Sequence, residues 1–442
     1  MDPMTLSHKT APPKSATSQW TVLLGLCGYF SALYLLRGSQ LSRVELGAAA
    51  MVATALPMLL HEVFIERSYR RSSSGLTGFA ALSRAEIVWA RVGVKLIGLA
   101  GTLALIALFY WLFPEYHRDF YQPFWTACRS YLPILLALAL PYFSVIDARM
   151  QSPKDGYYHA GLLFLFRLDR VDRAALRDHA LGWLIKAFFL PLMFVYFSAN
   201  ATSLITIDPF SATDSIRAGV NYISRLSLGI DLAFVSIGYV LTLRLTDSHI
   251  RSPNPLFWGW VVTLAMYVPF FSVIGRKYLE YNDGIGWLDM FGPDQQGWVL
   301  LWGFAIVLSK LLWAWSNMSF GIRFSNLTHR GIITNGPFRW FRHPSYFFKN
   351  ISWWLLAVPF FSLESPQEAL RNSLLLMGIN LIYYLRAKAE EAHLSQDPVY
   401  VEYALWVEQH GALSLLRKAL PFLRYRPPAT LSDPAPATQS GQ

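Results

Sequence analysis

Apolar residues arrive along this chain in long unbroken blocks, not at the three-and-four spacing of an amphipathic surface helix. That pattern predicts membrane spans. About ten such blocks occur, at 20–36, 44–60, 92–113, 132–145, 181–197, 228–243, 256–273, 298–315, 351–362 and 373–384. The ninth is short and contains Pro359, which predicts a tilted, broken or half-spanning helix. Between the fourth and fifth blocks, residues 147–179 are rich in Arg and Asp and predict a short surface helix around 163–181. Residues 1–19 lack a compact apolar core with a cleavage site, so they read as a loose tail and not as a signal peptide. Residues 427–442 are dominated by Pro, Ala, Ser, Thr and Gln, which bury too little to fold.

The expected fold is therefore an all-α polytopic membrane protein. Its parts are a disordered tail (1–19), a six-span region (20–254), a four-span unit (255–426) and a second disordered tail (427–442). The six-span region discloses no chemistry of its own. Arg91, Lys95, Lys186, Arg225 and Asp231 are scattered through it, read as snorkelling near span ends or pairing within the bundle.

Composition supports the membrane reading. The chain is 54% hydrophobic and only 15% charged, against about 25% charged in soluble domains. Its net charge of +10 falls mostly on alternate loops. Arg67, Arg70, Arg71 and Arg84 form one cluster, Lys154, Arg167, Arg170, Arg173 and Arg177 another, and residues 330–349 a third. Asp208, Asp214, Asp283, Asp289, Asp294, Glu364 and Glu368 fall on the intervening loops. The positive-inside rule then predicts cytoplasmic termini, in a bacterial inner membrane or, in a eukaryote, the endoplasmic reticulum. Basic residues beside spans, not gathered in one patch, argue against nucleic-acid binding. Cys27 within a span and Cys128 on an expected outer loop make neither a disulfide framework nor a metal site. No P-loop, HExxH, nucleophile elbow or strand-linked G-x-G-x-x-G occurs, so any cofactor must be held by helices and their loops.

Two segments near the C-terminus carry chemistry. The first is Gly336-Pro337-Phe338-Arg339-Trp340-Phe341-Arg342-His343-Pro344-Ser345-Tyr346. Gly331 and Gly336 permit close backbone approach to a ligand. Pro344 suits the first turn of a helix, leaving Arg342 and His343 just outside it and Tyr346 turned back across the entrance. Taken alone, this reads equally well as a positive-inside loop with aromatic anchors. The second segment, from Arg386 through Glu390 and Glu391 to Leu394, lies one short hairpin away. Arg386 and Glu390 share a helix face, and Glu391 is turned by about 100°. The hairpin makes the two segments neighbours, with carboxylates for a cationic ligand and an arginine for an anionic one.

This pairing resembles the integral-membrane methyltransferase family that includes isoprenylcysteine carboxyl methyltransferases and phospholipid N-methyltransferases. The matching residues are 320–325, 330–338, 342–346 and 386–394, with Tyr400 and Tyr403 behind. The resemblance covers roughly the last 130 residues and implies S-adenosyl-L-methionine as cofactor and a lipid or isoprenoid-linked acceptor. It implies further that Gly331, Ile332, Ile333, Phe338, Arg342, His343, Pro344, Ser345, Tyr346 and Glu390 hold the cofactor. Arg386 would face the acceptor. A carboxylate acceptor needs no base, whereas an amine must lose a proton, with His343 or Glu391 as the candidates. The chain departs from the family at Phe347-Phe348-Lys349-Asn350, where a glycine is usual. A sterol or isoprenoid double-bond reductase using NADPH, and a non-catalytic transporter or scaffold with a degenerate methyltransferase-like unit, stand as alternatives.

Overall fold

The computed structural model describes residues 11–77, 86–282 and 284–427. The expectations resting on residues 1–10, Arg84, Asp283 and 428–442 fall outside the described residues. The protein is an all-α polytopic membrane protein. Among the described residues, six helical stretches are long and apolar enough to cross a bilayer: Arg43–Ile65, Trp89–Leu112, Asp119–Asp147, Arg173–Thr206, Ile216–Val240 and Gln296–Met318. In chain order the α-helices are α1 (Gln19–Leu35), α2 (Arg43–Leu60), α3 (Trp89–Leu112), α4 (Gln122–Asp147), α5 (Gly156–Phe164), α6 (Arg173–Thr206) and α7 (Ile216–Val240). They continue as α8 (Phe257–Leu264), α9 (Phe270–Val273), α10 (Gln296–Met318), α11 (Pro344–Ala357), α12 (Pro366–Leu394), α13 (Pro398–His410) and α14 (Ser414–Ala419). Exposed Trp111, Leu112, Ile134, Leu135 and Leu138 on α3 and α4 suit hydrocarbon and not water.

Several expected elements change shape. The block 256–273 is split into α8 and α9, because Pro269 offers no N–H and disfavours helical backbone at Val268. The ninth block is the end of α11, which stops at Ala357 where Val358 turns left-handed with φ 39°. The stretch expected as one short helix at 163–181 is divided between the end of α5, which packs into the bundle, and the first turns of α6, which starts at Arg173. The backbones of α3 and α5 meet so closely that a Cβ on Gly98 would lie 2.1 Å from the Tyr157 carbonyl oxygen, and one on Gly161 2.0 Å from that of Val94. Cys128 sits within α4 and not on a loop.

The scattered ionisable groups of the front half pair within the bundle. Lys95, fully buried, meets Asp147 at 2.9 Å and Asp155 at 3.4 Å, while Arg91 reaches Asp147 at 2.7 Å. Lys186 donates to Thr242 and lies over the Trp183 ring. Arg225 donates to Ser203, and Asp231 accepts from Asn317.

The front half grips the C-terminal part of the chain at two buried arginines. Arg323 makes a two-pronged ion pair with Glu62 at 2.9 and 3.0 Å and donates to the Thr246 carbonyl. Arg330 donates to the carbonyls of Gly238 and Leu241, capping the C-terminal end of α7, and also to those of Ser248, Phe324 and Ile322. A two-residue antiparallel pairing of Ser252–Pro253 with Thr328–His329 ties the linker to the same loop.

Candidate functional site

The site forms where α11 begins and α12 ends. α12 has 29 residues, about 43 Å of helix, more than the roughly 30 Å hydrocarbon thickness requires. Its last turns, from Arg386 on, therefore extend past the apolar stretch ending at 384. His343 is the N-cap residue of α11, and Pro344 and Ser345 open the helix. The imidazole sits between the paired carboxylates: Nδ1 lies 3.4 Å from Glu390 and Nε2 lies 3.3 Å from Glu391. The Tyr346 hydroxyl donates to Glu390, and its ring stacks on His343 with 2° between the planes. Glu391 also receives Arg342 at 3.3 Å and Lys388 at 2.7 Å.

These neighbours set the protonation states. Burial would depress the His343 imidazole, but hydrogen bonds to Glu390 and Glu391 outweigh it and hold the group above its ordinary value. Burial would raise the Glu391 carboxyl, yet His343, Arg342 and Lys388 hold it down to about 2. Glu390 is held below its ordinary value by the same imidazole and by Arg386, against burial.

Arg386 belongs to a separate environment one turn back along α12. It is 4% exposed and forms no ion pair with Glu390 within 4 Å among the described residues. It donates instead to the Asn326 side-chain oxygen and lies over the rings of Tyr346, Tyr267 and Tyr383 at 5.0, 5.6 and 5.7 Å. The Asn326 amide is in turn oriented by the hydroxyls of Tyr239 and Tyr267. The guanidinium Nε is buried without a hydrogen-bond partner.

Gly331, Ile332, Ile333 and Phe338 lie on the loop before α11. Gly331 and Gly336 have φ of 109° and 56°, conformations that glycine adopts at no steric cost. Ile332, Ile333 and Phe338 pack with Tyr400, Tyr403, Val407 and Tyr425. The Tyr403 hydroxyl pins this loop by donating to the Phe338 carbonyl at 2.8 Å. Residues expected to be a loose tail dock on the loop's other edge. The Ala16 N–H donates to the Ile332 carbonyl, Thr334 donates to Pro13, and Asn335 donates to the Thr17 carbonyl. A Cβ on Gly331 would lie 2.6 Å from that of Ala16. On the carboxylate side the C-terminal segment closes in: Arg342 donates to the Leu423 carbonyl, and Tyr425 contacts Arg342 and Ser395.

The structure thus gathers Arg342, His343, Tyr346, Glu390 and Glu391 into one hydrogen-bonded cluster with Arg386 beside it. Ile332, Ile333 and Phe338 form an adjoining apolar wall. Tyr267, Asn326 and Tyr383 escaped the sequence reading. Tyr383 is detectable in principle, being three residues before Arg386 on one helix face. Tyr267 comes from the broken helix and leaves no local signal.

Residues 298–396 match the isoprenylcysteine carboxyl methyltransferase (ICMT) family. No curated protein and no solved structure matches the chain.

Proposed function

We propose, for a chain whose residues 298–396 match a family of integral-membrane methyltransferases, that it transfers a methyl group from S-adenosylmethionine to an acidic lipid or isoprenoid-linked acceptor. The reaction would occur at the cytosolic membrane face, with both termini on that side. The observation that carries this reading is the pairing of two unlike environments one helical turn apart: a carboxylate pair at Glu390 and Glu391, and a tyrosine-caged cation at Arg386.

The residues present suit such a cofactor. Its sulfonium and ammonium favour carboxylates and aromatic faces, which Glu390, Glu391 and Tyr346 supply. The Tyr400 hydroxyl, buried beside this cluster without a partner, is a spare polar group of the kind a bound ligand satisfies. Ile332, Ile333 and Phe338 would take its apolar parts and Arg342 its carboxylate. When bound, the cofactor would supply an electrophilic methyl group carried on a sulfonium sulfur.

The protein's part is alignment and exclusion of water. Arg386 would orient the acceptor's carboxylate. An acid acceptor is favoured over an amine because both candidate bases are engaged: the His343 imidazole lies between Glu390 and Glu391, which hold it above its ordinary value, and Glu391, held down to about 2 by His343, Arg342 and Lys388, is a weak base. The test is labelled S-adenosylmethionine binding by the purified chain, followed by mass spectrometry of membrane lipids with and without the protein. A gain of one CH₂ on an acidic lipid is expected. Absence of cofactor binding with the site residues intact would refute the reading.

A further inference from the structure

Beneath Arg386, toward the apolar part of the bundle, lies a second cation that the site so far does not use. Lys349 is carried by α11, within the Phe347-Phe348-Lys349-Asn350 stretch. Its ammonium lies over three rings, Trp353 at 5.3 Å, Trp313 at 5.4 Å and Tyr383 at 5.6 Å. Tyr383 is the ring that Arg386 also contacts, at 5.7 Å. One tyrosine therefore joins the two cations. On the far side, Trp313 takes a third cation, Lys310, at 5.4 Å.

None of these three cations sits in a direct ion pair among the described residues. Among the described residues, neither lysine has a carboxylate within 4 Å, and the nearby acid is Asp231, buried and bonded to Asn317 at 2.5 Å. Arg386 has a buried, unpartnered Nε. Aromatic faces stabilise a cation but do not neutralise it. Desolvated cations in excess of anions are costly unless a partner arrives with the ligand. Glu390 acts on Arg386 only from beyond ion-pair distance, being bonded to His343 and Tyr346, and Glu391 is taken by His343, Arg342 and Lys388.

We propose that Lys349 is a specificity-determining residue that, with Arg386, selects an acceptor amphiphile carrying two acidic groups in its headgroup. Arg386 holds the group to be methylated, and Lys349 holds the second, deeper along Tyr383. This rests on the methyltransferase reading above.

The full chain in nanodiscs is assayed with labelled S-adenosylmethionine and, separately, with two labelled probes sharing one farnesyl chain. Farnesylthioacetate has one carboxylate, and farnesylthiosuccinate has two. The wild type is expected to hold the dicarboxylate at least about tenfold more tightly. Lys349→Met is expected to bring the probes to equal affinity while cofactor binding stays at the wild-type level, and Lys349→Arg to restore the preference. Equal affinities in the wild type, a preference surviving in Lys349→Met, or no binding of either probe overturns the proposal. Loss of cofactor binding by the wild type is a different result, which sinks the methyltransferase reading and the proposal with it.

Discussion

Replacing Glu391 by Gln keeps the side chain's shape and removes the charge that organises the cluster. Glu391 is 8% exposed at its side chain and meets Arg342 and His343 at 3.3 Å and Lys388 at 2.7 Å. Breaking a buried pair by removing one partner costs about 3–5 kcal/mol. Here the loss is softened, because Arg342 keeps Glu408 and the Leu423 carbonyl, and His343 keeps Glu390. Lys388, at 27% exposure, adds little on its own. The expected destabilisation is therefore about 2–3 kcal/mol. The pH dependence is a sharper signature. His343 is raised above its ordinary 6.5, so its stabilisation is complete below pH 6.5 and is lost as pH rises through the folded value. Glu391 is depressed to about 2 from 4.5, so its stabilisation is present above 4.5 and is lost as pH falls toward 2. Apparent melting in detergent across pH 4 to 9, a range of about five units around these values, should show wild-type stability falling on the alkaline side. Glu391→Gln should start that fall at the same pH but complete it at lower pH and make it smaller. A Glu391→Gln profile that overlays the wild type would refute the argument.

Further expectations follow from the same geometry. Arg386→Ala should leave S-adenosylmethionine affinity unchanged and cut methyl transfer by about a hundredfold or more; wild-type turnover would remove its acceptor role. Glu62→Ala strands the buried Arg323 and should destabilise the fold by about 3–5 kcal/mol, whereas Glu62→Leu combined with Arg323→Leu should recover part of that loss in a double-mutant cycle. Gly331→Val places a side chain against Ala16 at φ 109° and should lower melting and weaken cofactor binding together; wild-type values for both would show that the N-terminal segment is not seated there. Deleting residues 1–17 removes the hydrogen bonds to Ile332, Thr334 and Asn335, and should expose that loop to rapid amide exchange.

The gathering of the candidate site residues was largely legible because it is local. His343 before Pro344, and Glu390 four residues after Arg386, are placed by helix-start chemistry and helix period, and those rules act over a few residues. The single hairpin between α11 and α12 then brings them together. Less legible was the fate of Arg323 and Arg330, which belong to the matched segment by sequence. In the structure they are anchors for Glu62 and for the end of α7, far off in the chain.

Hydropathy by itself determined that this is an all-helical membrane protein, since only closed backbone hydrogen bonding survives in hydrocarbon, and it located the charged turn against the last apolar stretch. Tertiary structure decided what surrounds Arg386. Its cage draws Tyr267 from a helix broken at Pro269, Tyr346 from α11, Tyr383 from α12 and Asn326 from a loop. No local rule relates those four positions. They converge because a desolvated guanidinium must find acceptors and aromatic faces wherever the packed bundle can supply them.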